Sequence, residues 1–112
     1  MDSQNLDTLG KLKEFQNYLF FSDDVRNFEK GLHGHELNSF VHKKVEISAA
    51  ISELENIAFQ KVEQQLALQA KNLEVGIEHL DAQLKAVVNF EKAFASLNSV
   101  LSILIGVLGI VK

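Results

Sequence analysis

Apolar residues recur every three or four positions through the first part of the chain, which is the spacing of one face of an α-helix. This first stripe consists of Leu6, Leu9, Leu12, Phe15 and Leu19. It predicts a helix over residues 3–21, with the Ser3 hydroxyl as its N-cap. Ser22 is the expected N-cap of a second, short helix over residues 23–30, whose first turn carries two acidic residues.

Gly31 follows that short helix in the position where a left-handed glycine commonly ends a helix, and Leu32 can supply the accompanying apolar contact. Around this region lies an aromatic cluster made of Phe15, Tyr18, Phe20, Phe21 and Phe28. One interpretation is that the first helix packs its stripe onto the later helices. The other is that this region covers the C-terminal segment until the protein meets a membrane.

Helical spacing continues from Glu36 onward, with no proline and no glycine before Gly76. The apolar positions are Leu37, Val41, Ile47, Ile51, Leu54, Ala58, Val62, Leu66, Leu73, Ile77, Leu80, Leu84 and Val87. They predict one very long amphipathic helix over residues 36–92. One subset, Ile51, Val62, Leu73 and Leu84, repeats every eleven residues. That repeat corresponds to about 3.67 residues per turn and favours a nearly straight bundle over a left-handed coiled coil.

A single weak break is visible in this region, at Lys71–Gly76, where Asn72 or Gly76 could end a helix. With the break, arms over 37–71 and 77–111 would pair as a helical hairpin. Without it, one helix would run into the C-terminal segment. The apolar stripe crosses the break without a change of phase, and this favours the uninterrupted helix.

The last stretch, Ala93–Val111, holds 19 residues without a charge, bracketed by Lys92 and Lys112. This length lies within the roughly 17–25 residues that a bilayer-spanning helix needs. On a helix it has two faces. The large aliphatic residues are Val100, Leu101, Ile103, Leu104, Val107, Leu108 and Val111, and the small-residue stripe is Ser99, Ser102, Gly106 and Gly109.

A stripe of small residues lets two helix backbones approach closely, and in lipid it is a favoured packing surface. We therefore expect the stripe to pack against another helix. The aliphatic face would meet lipid in a membrane-inserted helix. Alternatively, it would be buried in the core of a bundle or oligomer, because a helix that is apolar on all sides is also typical of a buried core helix.

Composition supports an all-α fold. The 112 residues contain no proline, no cysteine and six glycines, fewer turn-forming residues than a β-rich fold normally uses. The predicted organisation is a single structural unit with three parts. These are short N-terminal helices and a Gly/His hinge over residues 1–35, the long amphipathic helix over 36–92, and the hydrophobic C-terminal segment over 93–112.

Charge and motif content argue against several function classes. The 11 basic and 15 acidic residues give a net charge of −4, so a broad basic surface for nucleic acid is not expected. No nucleophilic triad, glycine-rich phosphate loop or cysteine metal motif is present. We expect a non-enzymatic protein with no cofactor, no metal and no small-molecule substrate.

His33 and His35 flank Gly34 in the turn over residues 31–36. Their spacing matches no strong zinc motif. Because imidazole gains its charge between about pH 5 and 7, the pair is a candidate pH-sensitive hinge that would release the N-terminal helices.

Taken together, these features predict a self-associating helical protein, a homo-oligomer, that attaches to or permeabilises a lipid bilayer through its C-terminal helix. The alternative is a soluble structural or adaptor protein that forms a bundle or filament with this helix in the oligomer core. The polar, acidic N-terminus carries no recognisable secretory signal peptide, so the expected location is membrane-associated or cytoplasmic.

Overall fold

The computed structural model describes residues 8–86 and 90–112, and the described chain forms five α-helices without a strand. The helices are α1 (Thr8–Phe21), α2 (Asp23–Lys30), α3 (Gly34–Glu55), α4 (Phe59–Ala86) and α5 (Phe90–Val111). The all-α prediction is confirmed. The predicted Ser3 cap and the apolar positions Leu6 and Val87 lie outside the described residues.

The prediction of one very long helix over residues 36–92 is wrong, because the chain reverses at residues 56–58 between α3 and α4. Asn56 closes α3 as its C-cap: its backbone N–H bonds to the Glu53 carbonyl, and the Ile57 N–H bonds to the Leu54 carbonyl. Leu54 before the turn and Val62 after it are both fully buried. Folding back lets α5 and α1 each pack against both α3 and α4, and this covers apolar stripes that a single extended helix would leave in water.

The predicted break at Lys71–Gly76 does not occur, since α4 runs continuously from Phe59 to Ala86. The predicted hairpin of 37–71 and 77–111 is therefore also wrong. Gly76 lies inside α4 where α5 crosses it, and a Cβ atom at this position would be 3.1 Å from the Val100 Cγ2 atom. Gly76 thus allows a close helix–helix contact and does not end a helix.

The short helix α2 begins as predicted, with the Ser22 side chain accepting a 3.1 Å hydrogen bond from the Asp24 backbone N–H. The expectation of a left-handed Gly31 is wrong, because Gly31 has a right-handed φ of −85°. Its N–H bonds to the Phe28 carbonyl in a tightened last turn. The left-handed glycine of this turn is Gly34, with φ +53°, where α3 begins.

All five helices contribute to a single hydrophobic core within overall dimensions of 42 × 28 × 20 Å. Helix α5 makes its most extensive contacts with α4 and then with α3, whereas α1 packs on α3 and α4 from the other side. Helices α4 and α5 run antiparallel, since Gln83 bonds to Ser96 near their connection and Gly76 approaches Val100 further along. This arrangement places α5 in the bundle as a core helix with one open side.

Candidate functional site

The aliphatic face of α5 points into the bundle. Six of its seven predicted residues are buried, namely Val100, Leu101, Leu104, Val107, Leu108 and Val111, and Ile103 is half-buried against the core. The sequence alone did not decide whether lipid or protein covers this face. In the structure, α3 and α4 of the same chain cover it.

The small-residue stripe points outward, on the opposite side of α5. Ser99, Ser102, Gly106 and Gly109 are all exposed. A Cβ atom added at Gly106 or Gly109 would have no neighbour within 4 Å. Within the part of the chain that the structure describes, the stripe does not mediate a close helix contact. Gly76 in α4 provides that contact instead.

Two large apolar residues extend the exposed surface of α5: Ile105 is 55% exposed and Ile110 is 64% exposed. The resulting outward face contains Ala95, Asn98, Ser99, Ser102, Ile105, Gly106, Gly109 and Ile110 and carries no charge between Lys92 and Lys112. We refer to it as the neutral face of α5. The Ser99 hydroxyl donates to the Ala95 carbonyl at 3.1 Å, so this polar group is satisfied within the helix.

Helix α5 is the one helix, among those described, that is long and apolar enough to cross a membrane. A core helix of a soluble protein can pass the same test. However, only 39% of the most apolar 18-residue stretch of α5 is buried in the bundle. The helix thus combines a core-like inner side with an outer side that lacks the charges typical of a solvated helix face.

Polar ties between α5 and the other helices lie near its two ends. The Ser96 hydroxyl donates to the Gln83 Oε1 atom at 2.8 Å, and the Lys43 ammonium lies 5.3 Å from the centre of the Phe94 ring. At the other end, Lys112 bonds to the Glu53 carboxylate at 2.8 Å. The buried side chains in the central part of α5, such as Val100, Leu104 and Val107, are apolar.

Two buried charges from other helices hold α1 in place. Glu63 of α4 is 3% exposed, and its carboxylate accepts hydrogen bonds from the backbone N–H groups of Thr8 (3.3 Å) and Leu9 (2.8 Å). Its negative charge therefore sits at the positive end of the α1 dipole. Sequence reasoning missed this contact. The available signal is that α1 has no acidic residue in its own first turn.

Lys44 of α3 plays the corresponding part at the other end of α1. It is 5% exposed and donates to the Leu19 carbonyl, in the last turn of α1, at 3.0 Å. It also forms an ion pair with Glu29 of α2 and lies 4.8 Å from the centre of the Phe20 ring. A positive charge thus meets the negative end of the α1 dipole, and α1 itself has no basic residue in its last turn.

The aromatic cluster is split by the fold. Phe15 and Phe28 are buried, and Phe28 packs against Phe40 of α3 with ring centres 5.3 Å apart. Tyr18 and Phe20 pack half-buried against the core, and Phe21 is 69% exposed. The apolar stripe of α1 therefore docks onto the later helices, as the first of the two interpretations proposed.

His33 and His35 lie exposed at the start of α3, on either side of the left-handed Gly34. Among the described residues, no group of three or more His, Asp or Glu side chains is arranged to hold a metal ion. The pH-hinge role stays a prediction.

A second surface feature lies between α1 and α4. The Tyr18 hydroxyl donates a 2.7 Å hydrogen bond to Asp81, and Lys85 forms an ion pair with the same carboxylate at 3.1 Å. The Tyr18 hydrogen bond lowers the pKa of Asp81, and burial together with Asp81 raises the pKa of Tyr18 well above its ordinary value. Next to this contact an open groove of about 630 Å³ separates the two helices.

Comparison of the chain with protein-family models, with curated proteins and with solved structures finds no match.

Proposed function

We propose that this chain is a non-enzymatic helical-bundle protein that transfers α5 into a lipid bilayer, where copies of the chain associate. The observation that carries the proposal is the neutral face of α5. An exposed helix face in a soluble monomer is ordinarily polar or charged. Here the exposed residues between Lys92 and Lys112 carry no charge and, apart from Asn98, are small or apolar, which suits a helix whose outer side meets lipid or another helix.

The dimensions of α5 agree with this proposal. Its 22 residues correspond to about 33 Å of helix, close to the roughly 30 Å hydrocarbon core of a bilayer. Lys112 and Lys92 lie near its ends, where long cationic side chains can reach the interface. Ser96, Asn98, Ser99 and Ser102 are its uncharged polar residues, and serine can bond to its own helix in lipid.

In the bilayer, the small-residue stripe would have a role that it lacks in the described bundle. Small side chains at Ser102, Gly106 and Gly109 allow two α5 helices to approach closely, which favours association where hydrophobicity cannot drive it. The proposal therefore joins membrane insertion to homo-oligomer formation, and attachment or permeabilisation would follow from that assembly.

A second candidate function rests on the opposite side of α5. Its aliphatic face is already buried, with Val100 and Leu104 fully inaccessible, so the helix does not need lipid to cover this side. In a soluble structural or adaptor protein, the neutral face would pack against a second copy in water. The two candidates differ in whether detergent or lipid is needed for association.

Three variants and a liposome flotation assay separate these candidates. Ser102→Lys places a charge in the middle of the neutral face, at an exposed position that leaves the bundle intact. A lysine near the centre of a bilayer helix costs about 2.5–3.5 kcal/mol on insertion scales. Leu68→Lys is the matched control. Leu68 is 73% exposed on α4, so a lysine there adds the same charge at a position outside α5. Gly106→Leu fills the small-residue stripe with an apolar side chain.

The membrane proposal predicts that the wild-type chain and Leu68→Lys float with liposomes, and that Ser102→Lys floats at least about tenfold less, as that cost implies. Gly106→Leu should still float but form smaller oligomers in detergent, because leucine suits lipid and blocks close packing. Wild-type protein that stays with the aqueous fraction refutes the proposal. If that protein is also a multimer in water, which Gly106→Leu dissociates, the soluble candidate is correct.

A further inference from the structure

The groove between α1 and α4 is a defined feature of the fold. The two helices run parallel and are tied together at both ends of the groove. At one end, the Glu63 carboxylate bonds to the Thr8 and Leu9 backbone, and at the other, Tyr18 bonds to Asp81. Between these ties lies an open groove of about 630 Å³.

Small side chains on α4 leave this space open. Ala67 and Ala70 face α1 along the upper part of the groove, where longer residues would close it. The half-buried Ile77 supplies further apolar surface, and the almost fully buried Leu12 and Phe15 lie behind it. From Ala67 to Asp81 the groove follows α4 for about 21 Å, at 1.5 Å per residue. Its volume lies within the roughly 300–1,000 Å³ of typical small-molecule sites.

The rim of the groove is acidic. Four carboxylates line it, from Glu14, Glu74, Glu78 and Asp81, against the two ammonium groups of Lys11 and Lys71. Asp81 is occupied by Tyr18 and Lys85. Glu74 and Glu78 are exposed one helical turn apart on α4, and no ion pair of either residue occurs among the described residues. An apolar trough thus leads to a cluster of negative charge.

We propose that the groove binds a single-chain cationic amphiphile, with its hydrocarbon chain along Ala67, Ala70 and Ile77 and its positive head group at Glu74 and Glu78. The apolar floor selects for the chain, and the excess of carboxylates selects for the sign of the head group. This site is on the opposite side of α4 from α5, and it does not depend on membrane insertion.

The test uses three probes with the same ten-carbon chain, each below its micelle concentration: decyltrimethylammonium, decanoate and decyl maltoside. Binding is followed by ¹H–¹⁵N chemical shifts of the full-length protein. We expect decyltrimethylammonium to shift amides of α1 and α4 around the groove and to bind about fivefold more tightly than decanoate, because exposed ion pairs contribute modestly. Decyl maltoside should lie between the two.

Variants locate the site. Ala67→Phe fills the groove from an exposed position and should weaken decyltrimethylammonium binding at least about tenfold. Ala82→Phe is the control, because Ala82 is exposed on the same helix but does not line the groove. Glu74→Gln combined with Glu78→Gln should reduce the preference over decanoate to about twofold and leave decyl maltoside unchanged. Glu36→Gln combined with Glu91→Gln removes the same charge elsewhere and should have no effect.

The outcomes that overturn the proposal are specific. They are equal affinity for decyltrimethylammonium and decanoate, shifts confined to α5, or binding that Ala67→Phe leaves unchanged. Binding of a basic amphipathic peptide without binding of decyltrimethylammonium also overturns it, and identifies the groove as a peptide site. If Ala67→Phe loses its helical circular dichroism, the charge-neutralising pair decides the question alone.

Discussion

Two helical glycines, Gly76 in α4 and Gly106 in α5, allow the same substitution to be made with and without a neighbouring helix. Replacing glycine by alanine in a helix interior reduces the freedom of the unfolded chain and adds helix propensity, by up to about 1 kcal/mol. At Gly106 the new methyl group meets nothing within 4 Å. We therefore expect Gly106→Ala to raise the free energy of unfolding by about 0.5–1 kcal/mol.

At Gly76 the same gain is opposed by packing. The new Cβ atom would lie 3.1 Å from the Val100 Cγ2 atom, closer than ordinary carbon–carbon contact at about 3.5–4.0 Å. Helices α4 and α5 must separate by a few tenths of an ångström, at the most extensive interface of the bundle. We expect Gly76→Ala to be neutral to within about 0.5 kcal/mol, and Gly76→Leu to destabilise by about 1–3 kcal/mol through overpacking.

The measurement is urea unfolding followed by far-UV circular dichroism, with midpoints compared at a common slope. A double-mutant cycle with Val100→Ala isolates the contact: in that background Gly76→Ala should recover the gain seen at Gly106. Light scattering at the working concentration confirms that the variants share one oligomeric state. Equal stabilisation at Gly76 and Gly106, or a cycle without coupling, would falsify the close α4–α5 approach.

Two further predictions concern the charged contacts of α1. Glu63→Gln should lower the free energy of unfolding by about 2 kcal/mol, because the buried carboxylate accepts hydrogen bonds from two backbone N–H groups. It should also accelerate hydrogen exchange at the Leu9 amide before other amides. A change in the free energy of unfolding below about 0.5 kcal/mol contradicts the capping role. The Tyr18 hydrogen bond lowers the folded-state pKa of Asp81 below its unfolded value of about 3.9. The ionised Asp81 carboxylate therefore stabilises the fold above about pH 3.9, and this stabilisation is lost as the pH falls through the folded-state pKa. Asp81→Asn should therefore flatten the acid side of the stability profile measured by urea midpoints from about pH 2 to 6, and an unchanged profile counts against the coupling.

Local spacing predicted the inward face of α1 correctly, whereas Val41 and Ala58 of the next predicted stripe are exposed. Leu12, Phe15 and Leu19 of the first stripe are buried, because three- and four-residue spacing directly encodes one side of a helix. The turn after Leu54 escaped prediction for the same reason: apolar spacing continues through it, and it contains neither glycine nor proline. Asn56 was its one local signal, and asparagine is a weaker helix terminator than glycine.

The contacts of α5 and of the two ends of α1 depend on tertiary structure. The spacing of apolar residues along the sequence therefore cannot predict them fully. The pattern divided α5 into an aliphatic and a small-residue face. Among the described residues the close helix contact is at Gly76, and packing of the small-residue stripe against another copy stays a prediction. Which face of α5 turns inward depends on α3 and α4, which are distant in sequence. Glu63 and Lys44 contact the two ends of α1 from positions more than 20 residues away in the sequence. No local motif can therefore predict these contacts.

Transfer of α5 into lipid would affect the two sides of its interface unequally. Its aliphatic face has apolar surroundings both in the bundle and in a bilayer, so α5 loses little on leaving. Helices α3 and α4 have no such substitute for the residues that they bury in the shared core. Ile51 and Leu66 are fully buried there, and exposing each such side chain costs about 1.5–3 kcal/mol.

Several such residues outweigh what a domain of this size has in reserve, about 5–15 kcal/mol. Insertion must therefore be coupled to a second event that covers α3 and α4 again, and we expect other copies of the chain to supply that apolar surface. Liposome binding should accordingly rise more than linearly with protein concentration at fixed lipid. Gly106→Leu tells the two possible contacts apart: binding stays cooperative if α3 and α4 make the contact between copies, and becomes linear if the small-residue stripe of α5 makes it.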